Sequence, residues 1–225
     1  MEVRRLGCLP YVEARRVQED LVEERRVGKI EDTLLLLEHP PTLSLGLRAK
    51  RNDAAFEAER WKALGVEVVH ANRGGDATYH APGQLILYPI FSLKARGWGV
   101  REFVEKGLFG IAEGISRSGV PFHFLLEPVG VWIKNSPRKL ASVGLRIHHG
   151  VTNHGFSVNI SCDLKHFSYF PVCGAVSTEA TSVFRELGFA ENTSSGESIE
   201  FRLEAADLKK AEKDDHIFAD GVLEC

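Results

Sequence analysis

The chain has 225 residues, of which 44% are apolar and 26% are charged, enough for one substantial hydrophobic core. Its net charge of -3 provides no global basic field of the kind that binds nucleic acid. There is no run of 18 apolar residues and no secretory signal at the N-terminus, so we expect a cytoplasmic protein without membrane contact. We expect a single domain over residues 1–190, with residues 191–225 forming a peripheral tail of the same domain.

Helical and strand patterns alternate in the first part of the chain. The stretch from Pro10 to Val27 is charged, has apolar residues on one side and is followed by Gly28, which predicts a helix. Thr33–Leu37 is wholly apolar, as in a strand buried on both faces. Asp53 can cap a helix that continues through Leu64.

A polar, glycine-rich stretch then separates two short apolar segments, Val66–Val69 and Leu85–Tyr88, which have the composition of strands. We therefore place the stretch between them on a loop. It supplies a cation, two hydroxyls, an imidazole and an amide, and its glycines let the backbone approach a ligand closely. The pattern alone leaves open a ligand-binding loop and a hairpin that bonds only to its own backbone. These polar residues are Arg73, Thr78, Tyr79, His80 and Gln84.

The second half of the chain begins with a helix predicted over Val100–Ser118, in which three glycines indicate close packing against a sheet. Ser177 or Thr178 can cap a short helix through Leu187. Elements in this irregular order predict an α+β or mixed α/β fold, with a mixed sheet flanked by helices. Four strands are predicted between the two helices, at Phe122–Leu126, Val129–Lys134, Leu140–Ile147 and Gly155–Ile160.

The segment between Glu127 and Asp163 contains no acidic residue. Such a local basic field is either a solvated face or a surface that receives an acidic partner protein, and both interpretations stay open. The basic residues within it are Lys134, Arg138, Lys139, Arg146, His148, His149 and His154.

Four cysteines, Cys8, Cys162, Cys173 and Cys225, have neither metal-binding nor disulfide spacing, and the nine histidines are too scattered for a metal set. We expect no metal. Cys173 stands on a turn between Pro171 and Gly174, which leaves open a buried apolar role and a nucleophilic one. A nucleophilic thiol needs a cation or base beside it, and Lys139 and His80 are residues of the required types.

Three segments together resemble the lipoyl (octanoyl) transferase family. The stretch RGGDATYHAPGQ at 73–84 is similar to the family signature R-G-G-x-x-T-Y-H-G-P-G-Q. KLASVGLR at 139–146 and GVTNHGF at 150–156 resemble two further family segments, and Cys173-Gly174 is similar to the family's P-C-G. Ala81 stands where the family has Gly, and Val172 separates Pro171 from the cysteine. The segments occur in the family order and, with the similar stretch at 38–46, cover most of the chain to about residue 187.

The resemblance implies a catalytic domain like that of biotin protein ligases and lipoate ligases. It implies octanoyl transfer from acyl carrier protein to lipoyl domains and glycine cleavage H protein, by a monomer and without a cofactor. The implied catalytic pair is Cys173 with Lys139, and backbone N–H groups near Gly74-Gly75 or in Ser142–Gly144 are implied oxyanion donors. The implied substrate-binding residues are Arg73, Gly74, Gly75, Asp76, Ala77, Thr78, Tyr79, His80, Ser142, Val143, Gly144, Gly155, Phe156 and Ser157.

Two other functions are compatible with the sequence. An ATP-dependent lipoate ligase of the same fold would need an adenylate site and would not need Cys173. A non-catalytic protein-binding module would use the basic segment and would form no acyl adduct. A cysteine hydrolase is a weaker third possibility, because transfer to water requires no docking surface for a second protein.

Overall fold

The computed structural model describes residues 1–49, 58–169 and 178–189. Within them the chain forms a large mixed sheet with helices on both faces, and a second, three-stranded sheet beside it. The predicted division into 1–190 and a tail over 191–225 stays a prediction, since the whole tail lies outside the described residues. No helix in the described part of the chain is long and apolar enough to cross a membrane.

The large sheet has the strand order β1-β2-β6-β10-β9-β8-β7, and the short strand β11 pairs with β9. The pairs β1–β2 and β9–β11 are parallel and the other pairs are antiparallel. The strands are β1 (Glu2–Cys8), β2 (Thr33–Glu38), β6 (Gln84–Ile90), β7 (Phe122–Leu126), β8 (Val129–Ile133), β9 (Arg138–His148), β10 (Val151–Asn159) and β11 (Glu179–Ala180).

The small sheet has the order β4-β3-β5, with β3 parallel to β4 and antiparallel to β5. Its strands are β3 (Thr42–Leu45), β4 (Glu67–His70) and β5 (Ala77–His80). The helices are α1 (Tyr11–Arg26), α2 (Ala58–Ala63), α3 (Leu93–Arg96), α4 (Val100–Ser116) and α5 (Val183–Glu186), with a 3-10 helix at Lys165–Tyr169.

Side chains alternate across β2 and β6, so the two faces of the large sheet build two cores. One core lies under α4 and contains Leu34, Leu36, Leu85 and Leu87. The other lies under α1 and contains the intervening residues, Leu35, Leu37, Ile86, Tyr88 and Ile90. The buried position of all three α4 glycines, Gly107, Gly110 and Gly114, confirms that this helix packs closely against the sheet.

The predicted helices at 10–27 and 100–118 and the buried strand at 33–37 are confirmed. The mixed sheet is confirmed as well. Strands β1 and β3 were not predicted. β1 is an edge strand with mostly exposed residues, so it lacks a clear apolar pattern. β3 is only four residues long.

Two predicted elements are wrong. Residues 77–80 are not loop but strand β5, because their backbone pairs with β3 from Thr42 to Leu45. The last helix does not begin at Thr178, which precedes β11. It begins at Val183, where the Ser182 hydroxyl accepts a hydrogen bond from the Arg185 N–H. The alternative cap, Ser177, and the predicted cap of α2, Asp53, lie outside the described residues.

Candidate active site

A pocket lies on the α1 side of the large sheet, where β6, β9 and β10 meet the end of β5. It has about 320 Å³ of empty space, part of it open to solvent. The paired strands β9 and β10 provide much of its wall, since Gly144 faces Gly155 and Ser142 faces Ser157. Nine of the predicted substrate-binding residues line it, namely Arg73, Thr78, His80, Ser142, Val143, Gly144, Gly155, Phe156 and Ser157.

The other five predicted residues lie outside the pocket wall. Backbone hydrogen bonds tie the glycine-rich turn to the end of β3, from Leu47 N–H to the Arg73 carbonyl oxygen at 3.0 Å and from Gly46 N–H to the Asp76 oxygen at 3.1 Å. The Gly74 N–H donates to the Leu145 carbonyl oxygen at 2.9 Å, so it is not available as an oxyanion donor in this structure. These five residues are Gly74, Gly75, Asp76, Ala77 and Tyr79.

Strand alternation separates Tyr79 from its neighbours. Thr78 and His80 line the pocket, whereas Tyr79 points to the opposite side of β5. Its hydroxyl lies 2.8 Å from Nδ1 of His166, and its ring packs edge-on against Phe167 in the 3-10 helix. Tyr79 therefore anchors that helix to the small sheet.

Arg73 places a fixed cation in the pocket wall. Its side chain is buried, and its Nη2 atom donates to the carbonyl oxygen of Ser44 at 2.7 Å and to the Ser44 hydroxyl at 2.8 Å. Nη1 donates to the Gly74 carbonyl oxygen at 3.0 Å. Position 144 must be glycine-sized for this arrangement, because a Cβ there would lie 3.0 Å from Cδ of Arg73.

The Gln84 amide fixes the orientation and tautomer of the His80 ring. Nδ1 of His80 lies 2.8 Å from Oε1 of Gln84, while the Gln84 Nε2 donates to the Tyr79 carbonyl oxygen and to Oδ1 of Asn159. The Gln84 oxygen is thus the acceptor, and Nδ1 carries the proton. Nε2 of His80 then accepts from the Ser44 hydroxyl at 3.0 Å.

Burial holds the pKa of His80 well below its ordinary value, and the nearby His39 and Arg73 lower it further. Both nitrogens of the neutral His80 ring are already hydrogen-bonded, so this ring does not supply the positive charge that stabilises a thiolate. Of the two types proposed as partners of Cys173, the buried lysine is therefore the better candidate.

Four pocket residues were missed in the sequence, namely Tyr11, Ile86, Tyr88 and His154. They come from α1, β6 and β10, so no local pattern joins them. His154 was noted in the basic segment and in the family-like segment at 150–156 but not as a pocket residue, and its backbone φ of 55° is unusual for a non-glycine residue in a strand.

His154 is fixed from several directions. Its Nε2 lies 2.7 Å from Oδ1 of Asn72, and its Nδ1 lies 3.4 Å from the Tyr11 hydroxyl. Burial lowers the pKa of His154 to about 3, with further lowering by Arg73, Arg146 and Arg15. Of these three cations, Arg73 lines the pocket, and Arg146 stands on β9 opposite Asn153, the neighbour of His154.

Ile86 contributes an apolar side chain from the α1 face to the wall, whereas the side chains of Val143 and Phe156 pack in the core under α4. The pocket therefore combines limited apolar side-chain surface with fixed hydrogen-bonding groups.

Lys139 lies outside the pocket wall, on the same strand as Ser142 and three residues before it. Three residues of strand span about 10 Å. Its side chain is buried, with only 2% exposed, and Nζ lies 5.0 Å from the centre of the Trp132 ring. Cys173 lies outside the described residues.

The sequence of residues 10–204 matches the lipoyl protein ligase A/B catalytic domain family. A mitochondrial octanoyltransferase of Arabidopsis thaliana is 40% identical over 187 residues, which are 83% of this chain and 79% of that protein. An octanoyltransferase of Chloroflexus aurantiacus is 40% identical over 195 residues, which are 84% of this chain and 86% of that protein.

Solved structures share the fold at low sequence identity. Lipoate-protein ligase A bound with ATP has a TM-score of 0.61 at 13% identity, over 85% of this chain and 87% of that one. A lipoate protein ligase from T. acidophilum with bound lipoic acid has a TM-score of 0.60 at 14% identity, over 82% of this chain and 77% of that one. The fold class inferred from the resemblance is thereby confirmed. With its fold and most of its length matched, the chain belongs to the lipoyl protein ligase A/B catalytic domain family and, within it, to the octanoyltransferases.

Proposed function

We propose that this acyltransferase moves an octanoyl group from acyl carrier protein to the ε-amine of a lysine on a lipoyl domain or glycine cleavage H protein. Cys173 carries the group as a thioester, and Lys139 acts as acid and base. The observation that supports this most directly is the pocket, whose wall includes Ser142–Gly144 on the same strand as the buried Lys139. We place the reaction in the cytoplasm.

In the first half of the reaction, Lys139 takes the proton of the Cys173 thiol, and the thiolate attacks the octanoyl carbonyl carbon. The tetrahedral intermediate collapses by breaking the bond to the pantetheine sulfur. Lys139 returns its proton to that sulfur, which leaves a Cys173 thioester and free carrier thiol. One thioester replaces another, so this half is close to neutral in free energy.

In the second half, the uncharged ε-amine of the acceptor lysine attacks the carbonyl carbon of the Cys173 thioester. Lys139 accepts the proton that the amine loses, the carbon–sulfur bond breaks, and Cys173 is regenerated. The product is an amide, which is more stable than the thioester. No ATP is consumed, and no cofactor takes part.

The connectivity supports a pairing of Cys173 with Lys139. Cys173 stands five residues before Thr178, and β11, which follows directly, pairs with Arg138–Lys139. Five residues span at most about 18 Å. The Thr181 N–H also donates to the Lys139 carbonyl oxygen at 3.0 Å, which ties the returning chain to this part of β9.

The positive charges near the pocket support the proposal that the donor or acceptor protein is acidic. Arg146 stands on β9 opposite Asn153, the neighbour of the pocket residue His154, and Arg15 lies on α1, one turn after the pocket residue Tyr11. An acyl carrier protein or lipoyl domain with a negative surface is guided toward such a region, although the whole chain has a net charge of -3. The protein works as a monomer in this proposal.

Intact-mass measurement tests the proposal. After mixing with octanoyl-acyl carrier protein, the wild type should gain about 126 Da, the mass of an octanoyl group replacing hydrogen, on Cys173. Cys173→Ala should gain nothing, and Cys8→Ser should behave as wild type. Full transfer by Cys173→Ser only when ATP and free octanoate are supplied would instead support a ligase.

A further inference from the structure

The side chain of Lys139 runs through a slot on the neighbouring strand β8. A Cβ added at Gly130, whose φ is +145°, would lie 2.4 Å from Cε and 3.1 Å from Nζ of Lys139, and 2.5 Å from the carbonyl oxygen of Ala141. The lysine thus occupies the space that a side chain at position 130 would fill. Beyond this point its ammonium comes to lie 5.0 Å from the centre of the Trp132 ring.

The two residues that form the slot, Gly130 and Trp132, lie on the same face of β8. Val131 and Ile133 belong to the core under α4, so Gly130 and Trp132 face the opposite side of β8. Trp132 is itself fixed, since it is 5% exposed and its Nε1 donates to the Pro128 carbonyl oxygen at 3.1 Å. The slot therefore has a rigid aromatic end.

A β-bulge turns Lys139 toward this face. Val131 pairs with Ala141 and Trp132 with Lys139, which leaves Leu140 as an extra residue on β9. Leu140 and Ala141 both lie in the core under α4. Because normal alternation is interrupted between them, Lys139 can lie over Trp132 on the other face while its backbone continues the ladder.

We propose that Gly130 and Trp132 are positioning residues of the acyl transfer, which hold the Lys139 ammonium where it must exchange protons. The missing side chain of Gly130 provides the path, and the ring face of Trp132 attracts the cation at its end. The inference rests on the proposed role of Lys139. Without the slot, a flexible lysine would sample several rotamers, and proton transfer would lose its fixed geometry.

The test uses the full chain with Cys8 and Cys225 replaced by serine, so that iodoacetamide reports on Cys173. For each variant we would measure kcat, KM for octanoyl-acyl carrier protein and the pH midpoint of alkylation. Gly130→Ala and Trp132→Leu should each lower kcat about ten-fold or more with KM within about two-fold. Both should move the alkylation midpoint upward, toward that of Lys139→Met.

Two matched variants separate positioning from a general loss of stability. Trp132→Phe keeps an aromatic face and should retain most of kcat and the wild-type midpoint, unlike Trp132→Leu. Gly119→Ala imposes backbone strain at a φ of +78° but meets nothing within 4 Å, so it should leave kcat and the midpoint unchanged.

The outcomes also separate this inference from the proposed function. If Lys139→Met changes kcat and the midpoint while Gly130→Ala and Trp132→Leu change neither, the positioning role is wrong and the Cys173–Lys139 pair stands. If Lys139→Met itself behaves as wild type, both ideas are wrong. Should Gly130→Ala fail to fold, the comparison of Trp132→Phe with Trp132→Leu decides, and equal behaviour of those two would overturn the proposal.

Discussion

Nε2 of His39 lies 2.8 Å from the hydroxyl of Tyr88, and Nδ1 of His39 lies 2.6 Å from the carbonyl oxygen of Leu9. A carbonyl can only accept, so Nδ1 carries the proton and Tyr88 donates its O–H to Nε2. Tyr88 lines the pocket, whereas the wholly buried His39 lies behind it. His39 therefore fixes the direction of a hydroxyl in the pocket wall, and it does so only as a neutral ring.

This pair predicts a pH-dependent stability. Burial lowers the pKa of His39 from 6.5 to about 4, so between these values the unfolded chain binds a proton that the folded chain does not. The free energy of unfolding should fall as pH falls through this window, by roughly 1.4 kcal/mol per pH unit and about 3 kcal/mol in total from this residue. Urea unfolding at several pH values between 7.5 and 4 measures it.

The control for this prediction is another histidine. His39→Gln should be less stable at pH 7 and should have a shallower dependence on pH between 6.5 and 4. His70→Gln replaces an exposed side chain and should keep the wild-type dependence. Equal slopes for His39→Gln and wild type would contradict the assignment of a neutral, buried His39.

Lys139 variants separate its charge from its proton transfer. Lys139→Arg keeps a cation near Cys173 but cannot give up a proton, because guanidinium stays protonated. We expect rapid alkylation of Cys173 and formation of the acyl-enzyme, but turnover reduced by a factor on the order of 10². Lys139→Met should lose both. Wild-type turnover by Lys139→Arg would show that the residue supplies charge alone.

The cysteines should differ sharply in their importance. Cys173→Ala should abolish transfer, while Cys8→Ser changes an exposed residue and should have little effect. Cys162 is wholly buried in the core of the small sheet, so Cys162→Ala should lower stability by about 1 kcal/mol and leave transfer intact. Cys225→Ser should also be active. Activity assays and urea unfolding on the four variants test this, and an essential role for another thiol would refute it.

The cations near the pocket predict a salt-sensitive KM. Arg146→Glu should raise KM for octanoyl-acyl carrier protein several-fold at low salt, and the difference from wild type should shrink as salt is added. Octanoyl-pantetheine, which lacks the protein, should be affected far less. Arg101→Glu makes the same charge change on α4, on the other face of the sheet, and should keep the wild-type KM. Equal effects of the two variants would argue against a docking role for Arg146.

Local sequence patterns were sufficient to predict the elements in which the apolar pattern is strong. In the helices α1 and α4, apolar residues recur with a period near 3.6 residues, and β2 contains four consecutive leucines because both of its faces are covered. β1 was not predicted, because few residues of an edge strand contact the core. The position of α5 also escaped, because Thr178 and Ser182 are both acceptable caps and only the pairing of β11 with β9 decides between them.

The sequence motif identified residues 73–80 as a stretch that contributes side chains to the pocket. It did not show which of these side chains face the pocket. That choice depends on the pairing of β5 with β3, which turns Thr78 and His80 inward and Tyr79 outward. Tyr11, Tyr88 and His154 could not be joined to the site by any local pattern, since they are distant in the chain and meet only when α1 packs across β6 and β10. A sequence specifies chemistry residue by residue, whereas the side of a strand and the contact of remote elements are set by sheet register and packing.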